Sequence, residues 1–168
     1  LRTGSRFVSI CDRVGGTYCI DVVNKRISVS PFALVGAAFS SEELVEVAGT
    51  LNQAARELDI DFIGGFSALV EKGMTRGDEA LIQAVPRALQ STERVCASVN
   101  VASTRAGINM DAVSLMGRCI KETAELSADR DGLSCAKMCV FANIPQDVPF
   151  MAGAYLGSGE REGGVSVG

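Results

Sequence analysis

Histidine is absent from the 168 residues, and so is tryptophan. Without an imidazole the chain cannot by itself build a Ser–His–Asp or Cys–His arrangement, nor a His-ligated metal. Any acid–base chemistry falls to Asp, Glu, Lys, Cys or Tyr, or to a partner chain. Aromatic residues are scarce at 5%, no basic stripe runs among them, and the net charge is −4. That balance argues against a nucleic-acid or anionic-membrane surface, because such surfaces need clustered Lys and Arg. No apolar run approaches the roughly 20 residues a membrane span requires. No signal peptide is evident. The chain opens on Leu1 rather than Met, which leaves room upstream for a natural start and a targeting segment. The expectation is cytoplasmic, with an organelle as the alternative.

Six cysteines are present, Cys11, Cys19, Cys96, Cys119, Cys135 and Cys139, yet none forms a C-x-x-C pair. With no histidine to complete a mixed zinc site, neither a metal nor a cofactor is predicted. Buried reduced thiols of a cytosolic protein are the plainer reading, against disulfides or a redox role. Hydrophobic residues at 47% against 21% charged describe a globular chain rather than a disordered one.

The apolar pattern switches between strand-like and helix-like periods. Strands are predicted at 26–30, 60–65, 94–100 and 136–142, each short, rich in Val, Ile or Phe, and followed by small or turn-forming residues. Between them lie helices. Ser40-Ser41-Glu42-Glu43 reads as a capping box, with Leu44, Ala48, Leu51, Ala55 and Leu58 on one face. Gly77-Asp78 opens a second helix to about Leu89, which Pro86 is expected to bend or end early. Asn109 can cap a third, where Met110, Val113, Met116, Ile120 and Ala124 form an apolar stripe. Phe7–Cys11 reads either as another strand or as the end of a helix. Alternation of this kind implies an α/β fold of repeated β-α units with a mostly parallel sheet. A domain over 1–156 is expected, followed by a Gly-rich loop or truncated continuation over 157–168.

In parallel α/β sheets ligands gather at the carboxyl ends of strands. Those ends are small and polar here: Ser28 and Ser30 before Pro31, Gly64-Gly65-Phe66-Ser67, Ser98 and Asn100 running on to Ser103 and Thr104, and Asn143. Alternation puts Cys96, Ser98 and Asn100 on one face of the third strand and Val95, Ala97 and Val99 on the other; Ile27 and Val29 likewise oppose Ser28 and Ser30. Parallel strands are normally apolar on both faces. A small, polar face suggests an interior that holds something other than packed aliphatics, unless these groups bond to nearby backbone. Gly64-Gly65 matches neither G-x-G-x-x-G nor the P-loop, and close backbone approach is the commoner role of such a pair. The loop from Ser103 to Asn109, with Arg105, Gly107 and a helix N-terminus, is the better candidate to cradle a small anionic metabolite, although Asn109 also suits a helix cap. Asn24-Lys25-Arg26 lies at the opposite end of the sheet, suited to a salt bridge or subunit contact.

These strings resemble a widespread prokaryotic family known only as a domain of unknown function, number 711, or uncharacterised protein family 0210. The resemblance is carried by Asn24-Lys25-Arg26-Ile27-Ser28-Val29-Ser30-Pro31, by 61–69, by Val95-Cys96-Ala97-Ser98-Val99-Asn100, by 103–110, by Phe141-Ala142-Asn143 and by 149–154. It implies a fold similar to pyruvate formate-lyase and other glycyl radical enzymes, a ten-stranded α/β barrel, but no activity and no glycyl radical loop. Cys96 lies on a strand rather than an inserted fingertip loop, which argues against equating it with a radical-relay cysteine. Family members run to more than twice this length, so the chain is expected to be a fragment, a split gene product or one piece of an assembly. They also tend to carry a histidine where this chain reads Tyr155-Leu156-Gly157.

Two functions follow as expectations. One is a small-molecule-binding barrel enzyme, with Ser28, Ser30, Gly64, Gly65, Ser98, Asn100, Ser103, Thr104, Asn109 and Asn143 around the ligand and Cys96 or Asp147 as weak catalytic candidates. The other is an inactive structural subunit, a homo-oligomer or part of a larger assembly, suggested by an open sheet edge that demands pairing or cover.

Overall fold

The computed structural model describes residues 4–145. A 3-10 turn leads into α1 (Phe7–Tyr18), which settles the first segment as helix. Then come β1 (Arg26–Ser28), the single-turn α2 (Phe32–Val35), α3 (Ser41–Glu57), β2 (Phe62–Leu69), α4 (Arg76–Ser91), β3 (Val95–Ser103), β4 (Gly107–Ile108), α5 (Met110–Leu126) and β5 (Met138–Ala142). Asp147, Leu156 and the tail over 157–168 lie outside the described residues.

β1, β2, β3 and β5 stand side by side in the order the chain visits them, all parallel. β4 folds back antiparallel on the end of β3 as a short hairpin. Successive crossovers of one hand in one direction place every connecting helix on the same face of the sheet. The packing agrees: Val95, Ala97, Val99 and Val101 join Leu81, Ile82, Val85, Leu89, Ala112 and Met116 in one core, with Ile63, Phe66 and Ala68 of β2 beside them. Cys96, Ser98 and Asn100 therefore point to the opposite face. The parallel α/β character is thus present; the described strands do not amount to a ten-stranded barrel.

Local chemistry accounts for the boundaries. Ser40 caps α3 by accepting from the Glu43 N–H while the Glu43 carboxylate accepts from the Ser40 N–H, and Thr75 with Asp78 repeats the device on α4. β1 is shorter than the predicted 26–30 because Pro31 turns the chain into α2, leaving Ser30 exposed and beyond the strand. β2 begins at Phe62, not residue 60, and runs four residues past the predicted end. Its glycines form an irregularity in the ladder between Ile63 and Phe66. Gly65 has φ +111°, and a Cβ there would lie 2.4 Å from Val29 Cγ2 and 2.6 Å from its carbonyl oxygen. Only glycine fits so close an approach.

Two helical expectations are corrected. Pro86 neither ends nor shortens α4, which continues to Ser91 with Pro86 buried inside it. Proline deprives the Ile82 carbonyl of its helical donor, and the Cys119 thiol lies 3.6 Å from that oxygen and donates to it. On α5 the buried face is Ala112, Met116, Cys119 and Thr123: Met116 of the expected stripe is buried as read, whereas Met110, Val113 and Ile120 are exposed. Small and hydroxyl-bearing residues let α5 approach α4 closely. Thr123 satisfies its own hydroxyl by donating to the Cys119 carbonyl at 2.7 Å.

Basic residues at the amino end of the sheet tie helix ends to strands. Arg94 donates to the Ala55 and Ile60 carbonyls, and Lys137 to those of Leu89 and Thr92. Lys25 pairs with Asp12 at 3.1 Å, and Arg26 lies over the Phe62 ring, 5.3 Å from its centroid. Both belong to the anchoring end, as the reading of Asn24-Lys25-Arg26 anticipates.

Candidate functional site

The face turned away from the helices is ordered by the ladder into rows. Directly registered residues on parallel neighbours share a face about 5 Å apart. One row is Ser67, Ser98 and Cys139; the next, toward the carboxyl end, is Leu69, Asn100 and Phe141. Ser28 registers with Gly64 on the β1 side. Ser67, Ser98 and Asn100 are buried, at 3%, 8% and 3% exposure. The Ser67 hydroxyl donates to the Gly65 carbonyl at 3.3 Å, and that of Ser28 reaches the Val29 carbonyl at 3.5 Å. Asn100 differs from both: its Oδ1 is buried with no hydrogen-bond partner. Burying an amide oxygen unpaired costs about 1–3 kcal/mol, so such a group calls for a reason.

Above this face stands the hairpin of β3 and β4. Ser103 Oγ accepts from the Ala106 N–H at 3.1 Å. Asn143, left-handed at φ 57°, accepts through Oδ1 from both the N–H and the hydroxyl of Thr104, each at 3.0 Å. Asn109 caps α5 by accepting from the Ala112 N–H and donates through Nδ2 to the Val70 carbonyl at 2.7 Å. Ser103, Thr104, Asn109 and Asn143 thus brace the hairpin against the ends of β2 and β5, while Arg105 is exposed at its tip. Ser28, Gly64, Ser98 and Asn100 share the helix-free face; Ser30 lies off the sheet. Gly65 serves the close approach of β1 to β2.

Cys96 is on the same face at 3% exposure. Burial pushes its thiol up to about 11, so it is protonated at neutral pH and a weak nucleophile. All six cysteines are free, with Cys96 and Cys119 buried and Cys19 exposed, which departs from uniformly buried thiols. Among the described residues no group of three or more His, Cys, Asp or Glu side chains could hold a metal, and no helix is long and apolar enough to cross a membrane. A hollow of about 720 Å³ lies by the end of α1 between Cys11 and Val23. It is an open trough of glycine and aliphatic residues with Cys11, Asp12, Cys19 and Asp21 at its walls, and Asp12 is engaged by Lys25.

Ser67 stands among the polar strand ends of the sequence, but it falls beyond the predicted end of its strand, and the irregularity at Gly64-Gly65 resets which face it takes. Glu71, just past β2, has a buried Oε2 without a hydrogen-bond partner; in the sequence it is one acidic residue in a turn.

The family model described as "Uncharacterised ACR (DUF711)" matches residues 1–168. The chain belongs to the DUF711 family. Its curated relatives carry the name UPF0210 protein. That of Syntrophobacter fumaroxidans is 62% identical over 167 residues, covering 99% of this chain and 36% of the relative. That of Desulfovibrio desulfuricans is also 62% identical, with the same coverage. That of Methanosarcina acetivorans is 57% identical over 157 residues, covering 94% of this chain and 34% of the relative. This DUF711 chain therefore spans little more than a third of the length of the relatives it matches.

Proposed function

We propose that the face bearing Ser67, Ser98 and Asn100 lines the interior of an α/β barrel and binds a small polar molecule there, in an enzyme that works without a glycyl radical. The observation that carries the reading is the buried, unpartnered Asn100 Oδ1 at the carboxyl end of parallel strands. A ligand supplying a donor would offset the cost of burying that oxygen. Sequential parallel strands with helices on one face are what a segment of a barrel presents, and the ten-stranded pyruvate-formate-lyase-like form implied by the family resemblance would continue beyond β1 and β5. Arg105 at the hairpin tip would meet an anionic group of the same ligand.

Native mass spectrometry of the purified chain tests this. A retained small molecule, lost in Asn100→Ala while the variant keeps its fold by circular dichroism, is the expected result. No retained mass, together with an Asn100→Ala variant as stable as or more stable than the parent, would sink the reading.

A second reading, a structural subunit within a homo-oligomer or larger assembly, draws on a different observation. Among the described residues β1 and β5 each have one strand neighbour, and exposed aliphatics flank both: Ile10, Val14 and Ile20 near one, Val113, Ile120 and Val140 near the other.

A further inference from the structure

We infer that Glu71 and Asn100 together hold a protonated amine of the bound small molecule, an inference that rests on the small-molecule reading above and names its ligand class. Two acceptor atoms are buried without partners at the same end of neighbouring strands, Asn100 Oδ1 and Glu71 Oε2. The backbone sets them close together. Leu69 registers with Asn100, and the Val70 N–H donates to the Asn100 carbonyl at 2.9 Å. Leu69 shares the face of Asn100 and Val70 turns into the helix-side core; Glu71 follows at once in the turn, two residues past the ladder partner of Asn100.

The chemistry of the pair narrows what can satisfy it. Both atoms accept and neither donates, so a hydroxylate, phosphate or carboxylate would add another unpaired acceptor. One of the two belongs to a carboxyl side chain, whose best complement is a donor carrying positive charge. A divalent cation fits poorly: calcium takes six to eight oxygens and magnesium a near-ideal octahedron, whereas no group of three acidic, Cys or His side chains assembles among the described residues. An ammonium offers three N–H groups on one atom. Glu71 and Asn100 take two, which leaves the third for another acceptor of the ligand's surroundings.

The probe is ethanolamine, with ethylene glycol as its neutral counterpart of the same size and glycolate as an anionic one. Each is titrated into the isotopically labelled 168-residue chain while the backbone amide resonances of Val70 and Asn100 are followed. Saturable shifts with ethanolamine are expected, at least about tenfold tighter than with either counterpart, because a charge-assisted bond to a buried carboxylate exceeds a neutral one. Glu71→Gln should weaken ethanolamine by about tenfold or more, and Asn100→Asp, which adds a carboxylate, should tighten it. If ethylene glycol or glycolate binds as well as ethanolamine, the amine inference falls and the small-molecule reading survives. If none of the three produces saturable shifts, or if Glu71→Gln binds ethanolamine unchanged, the inference falls as well. Should Glu71→Gln fail to fold, Asn100→Asp decides: weaker or unchanged binding would overturn the pairing.

Discussion

The thiols of Cys96 and Cys119 show how burial alone sets a residue's chemistry. Each is at most 4% exposed, and loss of hydration raises each from an ordinary 9.0 to about 11. The neutral thiol is the form the fold accepts. Between those two values the unfolded chain has released its protons and the folded chain has not, so stability falls as pH rises. The contribution is whole below pH 9.0 and lost through about 11, on the order of 2–3 kcal/mol for each thiol. Urea unfolding at pH 8 and pH 10.5 should show this loss in the parent and a flatter dependence in the Cys96→Ala/Cys119→Ala variant. Lys137, lowered by burial, works in the opposite sense over the alkaline range and is coupled to Cys96, so a Cys119→Ala variant, whose thiol has no such coupling, gives the cleaner comparison with the parent. An equal slope in both would refute the assignment. The same protonated state explains why Cys96 was legible as a strand residue yet is poorly suited to nucleophilic work: its position follows from the alternation of 95–100, its acidity from what packs around it.

At the scale of elements, α4 and α5 form a unit that neither sequence segment specifies alone. Proline within α4 leaves the Ile82 carbonyl without its helical donor, and the Cys119 thiol of α5 supplies a weak one. Cys119→Ala should cost about 1–2 kcal/mol through lost packing and the lost donor. In a Pro86→Ala background the restored N–H competes for the same oxygen, so the same change should cost less, with a coupling of about 0.5–1 kcal/mol in a double-mutant cycle. Strict additivity would mean that the thiol acts by packing only. In the sequence Pro86 points to a helix that bends or ends early, because the compensating group lies 33 positions away on another helix. The buried stripe of α5 was legible only at Met116 for a related reason. Met110, Val113 and Ile120 satisfy the periodic pattern, but close contact with α4 favours the small faces of Ala112, Cys119 and Thr123. The capping boxes at Ser40 and Thr75, by contrast, are local to four residues. Of these, Ser40-Ser41-Glu42-Glu43 was legible directly.

For the whole molecule, the arrangement of four parallel strands in chain order leaves two flanks with exposed aliphatics and single-neighbour strands among the described residues. Edges of this type pair readily with another chain. If the structural-subunit reading holds, sedimentation velocity should show species heavier than the 17.6 kDa of one chain, shifted toward monomer by Val140→Lys on β5, since edge lysines oppose pairing. A parent chain that is monomeric across the concentration series would count against that reading and leave the small-molecule site as the better account.

The sequence by itself determined the α/β class, the four parallel strands to within a few residues, the cap of α3, and the polar alternation of Cys96, Ser98 and Asn100, because periodicity and capping act between near neighbours in the chain. Its family strings also carried the membership in DUF711. Only the tertiary structure decided which face the helices cover, that Gly65 yields to Val29, that the hydroxyls of Ser103 and Thr104 brace a hairpin, and that Asn100 and Glu71 stand buried with acceptors unmet. Those outcomes depend on contacts between residues tens of positions apart. Hydrogen-bond satisfaction in particular is a property of the packed neighbourhood, and no local pattern encodes it.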